Sequence, residues 1–271
     1  MAPHRPSQNQ ATFLGLPAEE VLFGGAAGGG KSDALLMAAL EYVHVPGYSA
    51  AVFRRTKVES TRAEAPLERM RRWLSTALEA GRCRWDSDAN AFRFRTHEPG
   101  RDATVHFGYA PTQAQLESYQ GAAYQFIGID ELGAWSEASY RYLFSRLRRT
   151  HDLKGRAVPL RMRSTANPGG PGHDWIKARF VEHATHRDGG SKVLADLRAR
   201  RLGRPLPQPP VYVSPPSPEA LELAKELGRT AQGAVFVPSF AADNPGLDVA
   251  SYRAQLLQLD PTRREQLEHG G

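Results

Sequence analysis

Blocks of apolar and polar residues predict a strand–loop–helix–strand unit near the start of the chain. A short apolar segment, Glu20–Phe23, predicts a strand, and the helix formers of Lys31–Tyr42 follow it with an apolar stripe. Pro46 and Gly47 end this helix, and the apolar segment Ser49–Phe53 predicts a second strand. Because two strands joined through a helix usually run parallel, the pattern favours an α/β fold with a parallel sheet.

The rest of the chain continues to alternate between helical and extended patterns. Further strands are predicted at Ala91–Arg95 and Thr104–Phe107 (an antiparallel pair), Tyr124–Ile129, Leu160–Thr165 and Ala234–Val237. Helices are predicted at Gln10–Leu16 (a short helix or turn), Ala63–Glu79, Ser136–Arg149, Val249–Leu259 and from Asp260 to the end. The segment from about 187 to 232 is rich in Arg, Pro and Gly with one helical piece, Pro218–Leu227, and we interpret it as an insertion or lid.

The glycine-rich segment between the first strand and the first long helix fits the pattern G-x-x-x-x-G-K-S. Glycines let backbone N–H groups turn toward an anion, and the helix that follows adds the positive end of its dipole. In this pattern Lys31 reaches the β- and γ-phosphates and Ser32 holds Mg²⁺. A flexible glycine turn, the alternative, does not require Lys-Ser at this place. We therefore predict that ATP binds at Gly25, Ala26, Ala27, Gly28, Gly29, Gly30, Lys31 and Ser32.

A second motif ends the apolar segment Phe126–Ile129 in two acidic residues. In a P-loop fold an Asp at the carboxyl end of a neighbouring strand completes the Mg²⁺ site, so we assign Asp130 to the metal. Glu131 is then placed to polarise the attacking water as the general base. An ordinary strand that ends at the surface is the alternative, and the upstream phosphate loop favours the catalytic interpretation.

Polar residues also follow the predicted strand Leu160–Thr165. Because ligands of parallel sheets bind at the carboxyl ends of strands, Thr165 or Asn167 can hydrogen-bond to the γ-phosphate or its water. A polar turn punctuated by Asn-Pro remains open as the alternative.

Charge and composition change this picture only slightly. The chain carries 35 Lys and Arg against 29 Asp and Glu, a formal net charge of +6, which weakly favours a nucleic-acid partner. No apolar run is long enough to span a bilayer, and the first ten residues lack the apolar core of a secretory signal. The single cysteine, Cys83, has no partner for an internal disulfide, which suits a reducing cytoplasm.

These motifs, in this order, resemble the ATPase half of the large terminase subunit, the DNA-packaging motor of tailed bacteriophages and their prophages. The resemblance covers about residues 8–271 and implies a RecA-like P-loop NTPase domain, with a central, mostly parallel sheet flanked by helices and a small lid. The segments that carry it are Phe23–Ser32, Tyr119–Gly121 with Phe126–Leu132, Ser145–Arg148, Thr165–Gly170 with Gly172–Trp175, and Val237–Pro238 with Asp243–Pro245.

The resemblance also implies roles for residues outside the two main motifs. Gln10, or the nearby Gln8, is similar to the glutamine that helps to recognise adenine. Thr165 to Asn167 resemble the motif that couples hydrolysis to DNA movement. Arg54 and Arg55 follow the second strand, where such motors often place a loop that faces DNA or nucleotide.

At two positions, this chain lacks an arginine that the resemblance would place near the γ-phosphate. Some relatives carry an Arg in the phosphate loop where this chain has Ala27, and others carry one where this chain has Gln120. The transition state still needs a positive charge there, and we name Arg146 and Arg148 as candidates. A solvated basic helix face is an equally good interpretation of these two residues.

The family function implied is ATP hydrolysis with Mg²⁺ that drives double-stranded DNA into a procapsid. Its partners are the portal protein and the small terminase subunit, and it works as a homo-oligomeric ring in the host cytoplasm, without a membrane. Relatives usually continue into a nuclease domain. Because this chain stops at Gly271 without a further acid cluster for two metals, we expect residues 1–271 to form the ATPase domain alone, without nuclease activity.

Three other classes of protein share parts of this pattern. A helicase or recombinase-type ATPase that acts on single strands should carry aromatic stacking platforms, and none is clearly marked. A small-molecule kinase should lack the acidic pair Asp130-Glu131, although the Arg/Pro-rich segment would pass for its lid. A non-catalytic DNA-binding or portal-docking remnant is disfavoured by the intact Lys31, Asp130 and Glu131.

Overall fold

The structure is a computed structural model that describes residues 5–57, 65–150, 153, 158–226 and 230–269. Its contacts divide the chain into two compact units. The first consists of Ser32–Ser164 with Arg5, and the second of Pro6–Lys31 with Thr165–Gly271. No helix in the described part of the chain is long and apolar enough to cross a membrane.

The first unit is built on a sheet whose strand order is β3-β4-β5-β2-β6-β7. Strands β5, β2, β6 and β7 run parallel to one another, whereas β3, β4 and β5 form an antiparallel meander. The strands are β2 (Ser49–Arg54), β3 (Cys83–Asp86), β4 (Ala91–Phe94), β5 (Ala103–Tyr109), β6 (Phe126–Ile129) and β7 (Arg161–Ala166). The predicted α/β fold and the antiparallel pair are confirmed, and β3 is an addition that the pattern does not predict.

The helices of the first unit are shorter than the apolar pattern predicts. They are α2 (Lys31–Leu40), α3 (Pro66–Trp73), α4 (Ser75–Glu79), α5 (Gln113–Glu117) and α6 (Glu137–Phe144). The helix predicted over Ala63–Glu79 is broken at Leu74, where φ −95° and ψ 2° leave the helical region; residues 58–64 lie outside the described part.

The helix predicted over Ser136–Arg149 is also wrong in its second half. Helix α6 ends at Phe144, and the chain then runs beside Tyr124, whose backbone exchanges hydrogen bonds with Arg146 (3.0 Å) and Arg148 (2.9 Å). Backbone pairing next to β6 therefore outweighs the helix propensity of this segment.

In the second unit the strands pair in the order β1-β10-β9-β8. Strands β1 and β10 run parallel, and β9 pairs antiparallel with both β10 and β8. The strands are β1 (Glu20–Gly25), β8 (Thr185–His186), β9 (Tyr212–Val213) and β10 (Val235–Ser239). The helices are α1 (Gln8–Gly15), α7 (His173–Phe180), α8 (Val193–Arg201), α9 (Pro218–Glu226), α10 (Val249–Leu256) and α11 (Pro261–His269).

The Arg/Pro-rich segment is more ordered than its composition suggests. The sequence predicts helix α9 there, but it predicts neither helix α8 nor strand β9. The last residue of the predicted helix, Leu227, and the end of the last predicted helix, residues 270–271, lie outside the described residues.

An ion pair ties the start of β1 to α7 within the second unit. The guanidinium of Arg179 donates from Nε to Glu20 Oε1 (2.6 Å) and from a terminal nitrogen to Oε2 (3.0 Å). Only 11% of the Glu20 side chain and 25% of the Arg179 side chain are exposed, so this bidentate pair is well shielded from water.

We expect Glu20→Gln to lower the free energy of unfolding by about 2 kcal/mol, because it leaves a largely buried guanidinium without its counter-charge. The matched control is Glu137→Gln, which removes the exposed pair of Glu137 with Arg141 and should cost under about 1 kcal/mol. Denaturant titration of both variants measures the difference, and equal losses would contradict the role given to the shielded pair.

Candidate nucleotide-binding site

The phosphate loop leaves the end of β1 at Gly25 and enters α2 at Lys31. Gly25 has a φ of +128°, and a Cβ added there would lie 2.6 Å from the carbonyl oxygen of Ser239. A Cβ on Gly29 would overlap the Ser239 hydroxyl. Both positions therefore require glycine, because β10 lies directly behind the loop.

Side chains from outside the loop hold three successive loop carbonyls. The donors come from α1, β10 and the turn after β10, and they are Gln10 Nε2 to Gly30 O (2.8 Å), Ser239 Oγ to Gly29 O (3.3 Å) and Asn244 Nδ2 to Gly28 O (2.7 Å). In a trans peptide the C=O and the next N–H point in opposite directions. With these carbonyls held outward, the N–H groups of residues 29–31 point to the other side, where an anion can accept them.

Two further groups of the loop are engaged by the protein itself. The Lys31 ammonium is buried and donates to the carbonyl oxygens of Ala26 and Gly25, the latter at 3.4 Å. The Ala27 N–H donates to Leu267 O of α11 at 2.9 Å. A bound phosphate therefore has to draw Lys31 away from loop carbonyls to which it already donates.

The register of two parallel strands in the first unit brings an arginine beside the acidic motif. Phe53 of β2 is opposite Ile129 of β6, and the Asp130 N–H donates to Phe53 O at 2.9 Å. The next residues along the two strands are Arg54 and Asp130, so their side chains leave the sheet at the same edge.

Asp130 is a buried carboxylate with a different partner on each oxygen. Its Oδ1 accepts a hydrogen bond from Ser32 Oγ at 3.0 Å, and its Oδ2 accepts one from Arg54 Nε at 2.9 Å. Only 1% of the Asp130 side chain is exposed. A hydroxyl and a carboxylate oxygen at hydrogen-bond distance are the hard oxygen donors that Mg²⁺ prefers, so Ser32 and Asp130 fit the metal that the sequence predicts.

Glu131 has an unusual backbone conformation and an open side chain. Its φ of 57° and ψ of 52° lie in the left-handed region, which costs a non-glycine residue about 1–2 kcal/mol. Its carboxylate accepts a hydrogen bond from the Arg54 guanidinium at 2.9 Å, and half of the side chain is exposed to solvent. A water-accessible carboxylate directly after Asp130 fits the predicted general base for water.

Arg54 is the residue that joins the two acids, and the sequence marks it only as part of a ligand-facing loop. Its neighbour Arg55 does not face the acids. Arg55 donates to the carbonyl oxygens of Ala110 and Pro111, and its guanidinium lies 5.4 Å from the centre of the Trp135 ring.

Of the two candidate glutamines, the structure places Gln10 at the phosphate loop. Gln10 is buried, and besides its bond to Gly30 it accepts a hydrogen bond from the Ser7 N–H at 2.8 Å. Gln8 is exposed, and its amide lies 3.4 Å from that of Gln208. Gln10 thus braces the loop, whereas contact of either residue with adenine stays a prediction.

The two predicted coupling residues lie at the end of β7. Thr165 is buried within the strand, and Asn167 follows it and lines a cavity of about 310 Å³ together with Gly25 of the phosphate loop. The Asn167 Oδ1 atom is buried and has no hydrogen-bond partner among the described residues. An unsatisfied acceptor beside the loop is consistent with a group that exchanges partners, and the coupling role stays a prediction.

The predicted arginine-finger candidates lie away from the acidic pair. Arg146 stacks on the Tyr142 ring (5.2 Å), and Arg148 donates to Gly121 O (2.6 Å). Both flank Tyr124, which precedes Asp130 by about 20 Å of extended chain. Neither arginine contacts Asp130 or Glu131 in this arrangement, and a role of either at the γ-phosphate stays a prediction.

The α/β fold, the glycine-rich loop between β1 and α2, and the Ser32–Asp130 hydrogen bond are typical of the P-loop NTPase fold class. No family model matches the chain, and no curated protein sequence matches it. Solved structures of bacteriophage large terminases do match its fold. The predicted resemblance is confirmed at the level of the fold.

Three of these structures give the extent of the similarity. The large terminase of a thermophilic bacteriophage matches with a TM-score of 0.57 and 13% identity over 98% of this chain and 54% of its own. The ATPase domain of the Thermus phage P74-26 large terminase matches with a TM-score of 0.57 and 16% identity, over 98% of this chain and 94% of that domain. The HK97 bacteriophage large terminase matches with a TM-score of 0.51 and 10% identity, over 99% of this chain and 51% of its own.

This chain therefore spans about half the length of the first and third of these terminases and nearly all of the P74-26 ATPase domain. The large terminase of the thermophilic bacteriophage has also been solved with ADP and with ATP-γ-S.

The strain at Glu131 can be measured with two variants that both lack the carboxylate. We expect Glu131→Gly to be more stable than Glu131→Ala by about 1 kcal/mol, because only glycine adopts the left-handed conformation without cost. Denaturant titrations measure the difference. An alanine variant as stable as the glycine variant would mean that the backbone at this position is not strained.

The charge balance around Asp130 can be measured through Arg54. We expect Arg54→Ala to lower the free energy of unfolding by about 3 kcal/mol, because it removes the guanidinium that a buried carboxylate shares with Glu131. Added Mg²⁺ should recover part of this loss, since a divalent cation bound at Asp130 replaces the missing charge.

Thermal unfolding with and without Mg²⁺ tests this prediction, and Arg141→Ala, an exposed arginine of α6, is the control. If Mg²⁺ raises the unfolding temperature of both variants equally, the ion does not replace the charge of Arg54 at Asp130.

Proposed function

We propose that this chain is an ATP-hydrolysing motor subunit that moves double-stranded DNA during the packaging of a phage genome. The observation that carries the proposal is the Ser32–Asp130 hydrogen bond with Glu131 directly after it, on a chain whose phosphate loop leads into the helix that bears Ser32. The match to large terminase folds, some solved with ADP or ATP-γ-S, supports the same function.

Each residue has a role that follows from its own surroundings. The N–H groups of residues 29–31 bind phosphate oxygens, and Lys31 exchanges its loop carbonyls for the β- and γ-phosphates. Ser32 and Asp130 would hold Mg²⁺, which would offset the charge of the phosphates. Glu131 takes a proton from the water that attacks the γ-phosphate.

Arg54 binds the two acidic side chains and has no proposed contact with the attacking water. Its guanidinium holds one oxygen of Asp130 and one of Glu131, and so sets the distance between the metal ligand and the base. We propose it as a positioning residue for Glu131. The coupling role of Thr165 and Asn167 and the adenine contact of Gln10 belong to the same proposal.

The proposed partners follow from the packaging function. The chain acts on double-stranded DNA in the host cytoplasm, as one member of a ring on the portal protein, together with the small terminase subunit.

Steady-state phosphate release by the purified chain, with and without double-stranded DNA, tests this function. We expect Lys31→Ala and Glu131→Gln each to lower kcat by at least about a hundredfold, because one loses the phosphate contact and the other the base. Lys225→Ala removes an exposed lysine of α9 and is the matched control, which should turn over like the parent chain.

Retained turnover in Glu131→Gln would exclude this residue as the base. Stimulation by single-stranded but not double-stranded DNA would favour the helicase or recombinase alternative. Nucleotide binding that needs Lys31, without turnover, would mean that the site waits for an arginine from a neighbouring subunit.

A further inference from the structure

The end of helix α8 carries a concentration of arginines that the proposed ATPase chemistry does not use. Four of them fall within seven residues, where the helix ends and the chain turns, and they are Arg198, Arg200, Arg201 and Arg204. Cations at a helix C-terminus interact favourably with the dipole, which accounts for one or two of them. It does not account for the convergence of three of them, Arg200, Arg201 and Arg204, on one cavity.

A cavity of about 450 Å³ lies against this end of α8, within the second unit. Its basic walls are Arg200, Arg201 and Arg204 from α8 and the turn after it, with Arg253 from α10. Phe240 and Tyr252 contribute aromatic surface, and no Asp or Glu is among the described residues that line it. We call this cavity the arginine pocket.

Two carboxylates near the pocket form ion pairs with two of its arginines. Arg200 lies 3.5 Å from a carboxylate oxygen of Asp243 and stacks 3.7 Å above the Phe240 ring, and Arg201 lies 3.0 Å from Glu265. Burial raises the pKa of the Asp243 carboxyl, and the Arg200 charge opposes that shift. Four guanidinium groups line the pocket, and these two carboxylates face Arg200 and Arg201.

The arginine pocket backs onto the outer side of the phosphate loop. Ala241 and Tyr252 line the pocket and also face Gly28, where an added Cβ would come within 3.5 Å of each. Phe240 lines it as well and packs with Leu206 on the buried Ala26 of the loop. A ligand in the pocket would thus touch the residues that hold the loop in shape.

Basic residues continue from the arginine pocket to the other side of α8. Arg201 lines both this pocket and the cavity that contains Asn167, where Arg198 and Lys177 also lie. The basic residues therefore line two adjoining cavities, and this arrangement suits a polymer with repeated phosphates. Guanidinium groups bind phosphates in a bidentate manner, and such contacts to a nucleic-acid backbone carry no sequence preference.

We propose that the arginine pocket binds backbone phosphates of double-stranded DNA, against the outer side of the phosphate loop. This inference rests on the proposed function, since it assigns a contact surface to the DNA on which the motor acts. DNA phosphates held here press on Phe240, Ala241 and Tyr252, and through them on Ala26 and Gly28.

The experiment measures the binding of a fluorescent DNA duplex to the whole chain over a range of salt concentrations. The test variant is Arg204→Ala with Arg253→Ala, which removes two exposed charges of the pocket. The control variant is Arg84→Ala with Arg141→Ala, two exposed arginines of the first unit, which has the same net charge. We expect the test variant to bind about tenfold more weakly and its salt slope to fall by about two, one for each lost phosphate contact.

Binding of a fluorescent ADP to the same proteins identifies a different ligand. Weaker ADP binding with unchanged DNA binding would assign the pocket to the nucleotide and overturn the proposal. Unchanged DNA binding, or an equal loss in the control, would overturn it as well. If the double variant does not fold, the single variant Arg204→Ala tests the proposal. We expect the salt slope of its DNA binding to fall by about one.

The two proposals fail separately. The DNA-binding measurement needs no hydrolysis. Phosphate release by Lys31→Ala would therefore refute the proposed ATPase site, while the salt dependence of DNA binding would still test the arginine pocket. If Lys31→Ala abolishes phosphate release but the test and control variants bind DNA equally, the proposed ATPase site stands. The proposal that the arginine pocket binds DNA is then refuted.

Discussion

The constraint on which the first unit depends is the burial of the Asp130 carboxylate. A charge with 1% of its side chain exposed is stable only when its oxygens are occupied, and Ser32 and Arg54 occupy them. The parallel register of β2 and β6 supplies Arg54, and the start of α2 supplies Ser32. The same contacts that make burial possible also orient Glu131, so fold stability and the proposed chemistry share one set of side chains.

The phosphate loop of the second unit is shaped from outside by residues far away in the sequence. Gln10 precedes the loop, while Ser239 and Asn244 follow it by more than 200 residues. Because their bonds hold loop carbonyls outward, the N–H groups proposed to bind phosphate are oriented without a bound nucleotide. Movement of β10 or of the turn after it therefore changes the loop directly, and the arginine pocket lies next to that turn.

The sequence predicts the acidic motif better than it predicts the arginines around it. Arg146 and Arg148 are named because the transition state needs a positive charge, and backbone pairing beside Tyr124 places both before the start of β6. Arg54 lies 76 positions before Asp130, and only the pairing of β2 with β6 makes them neighbours. Register between strands depends on long-range packing, which local periodicity does not encode.

By itself, the sequence determined the α/β alternation, the phosphate loop and the two acids, because glycine conformation, apolar periodicity and motif spacing are local properties of the chain. It also indicated Gln10, which the structure places against Gly30. Tertiary structure alone decided the left-handed backbone of Glu131, its bond to Arg54, and the meeting of α8 and α10 arginines at one cavity. Each of these depends on segments that are distant in sequence and become neighbours only when the core is packed.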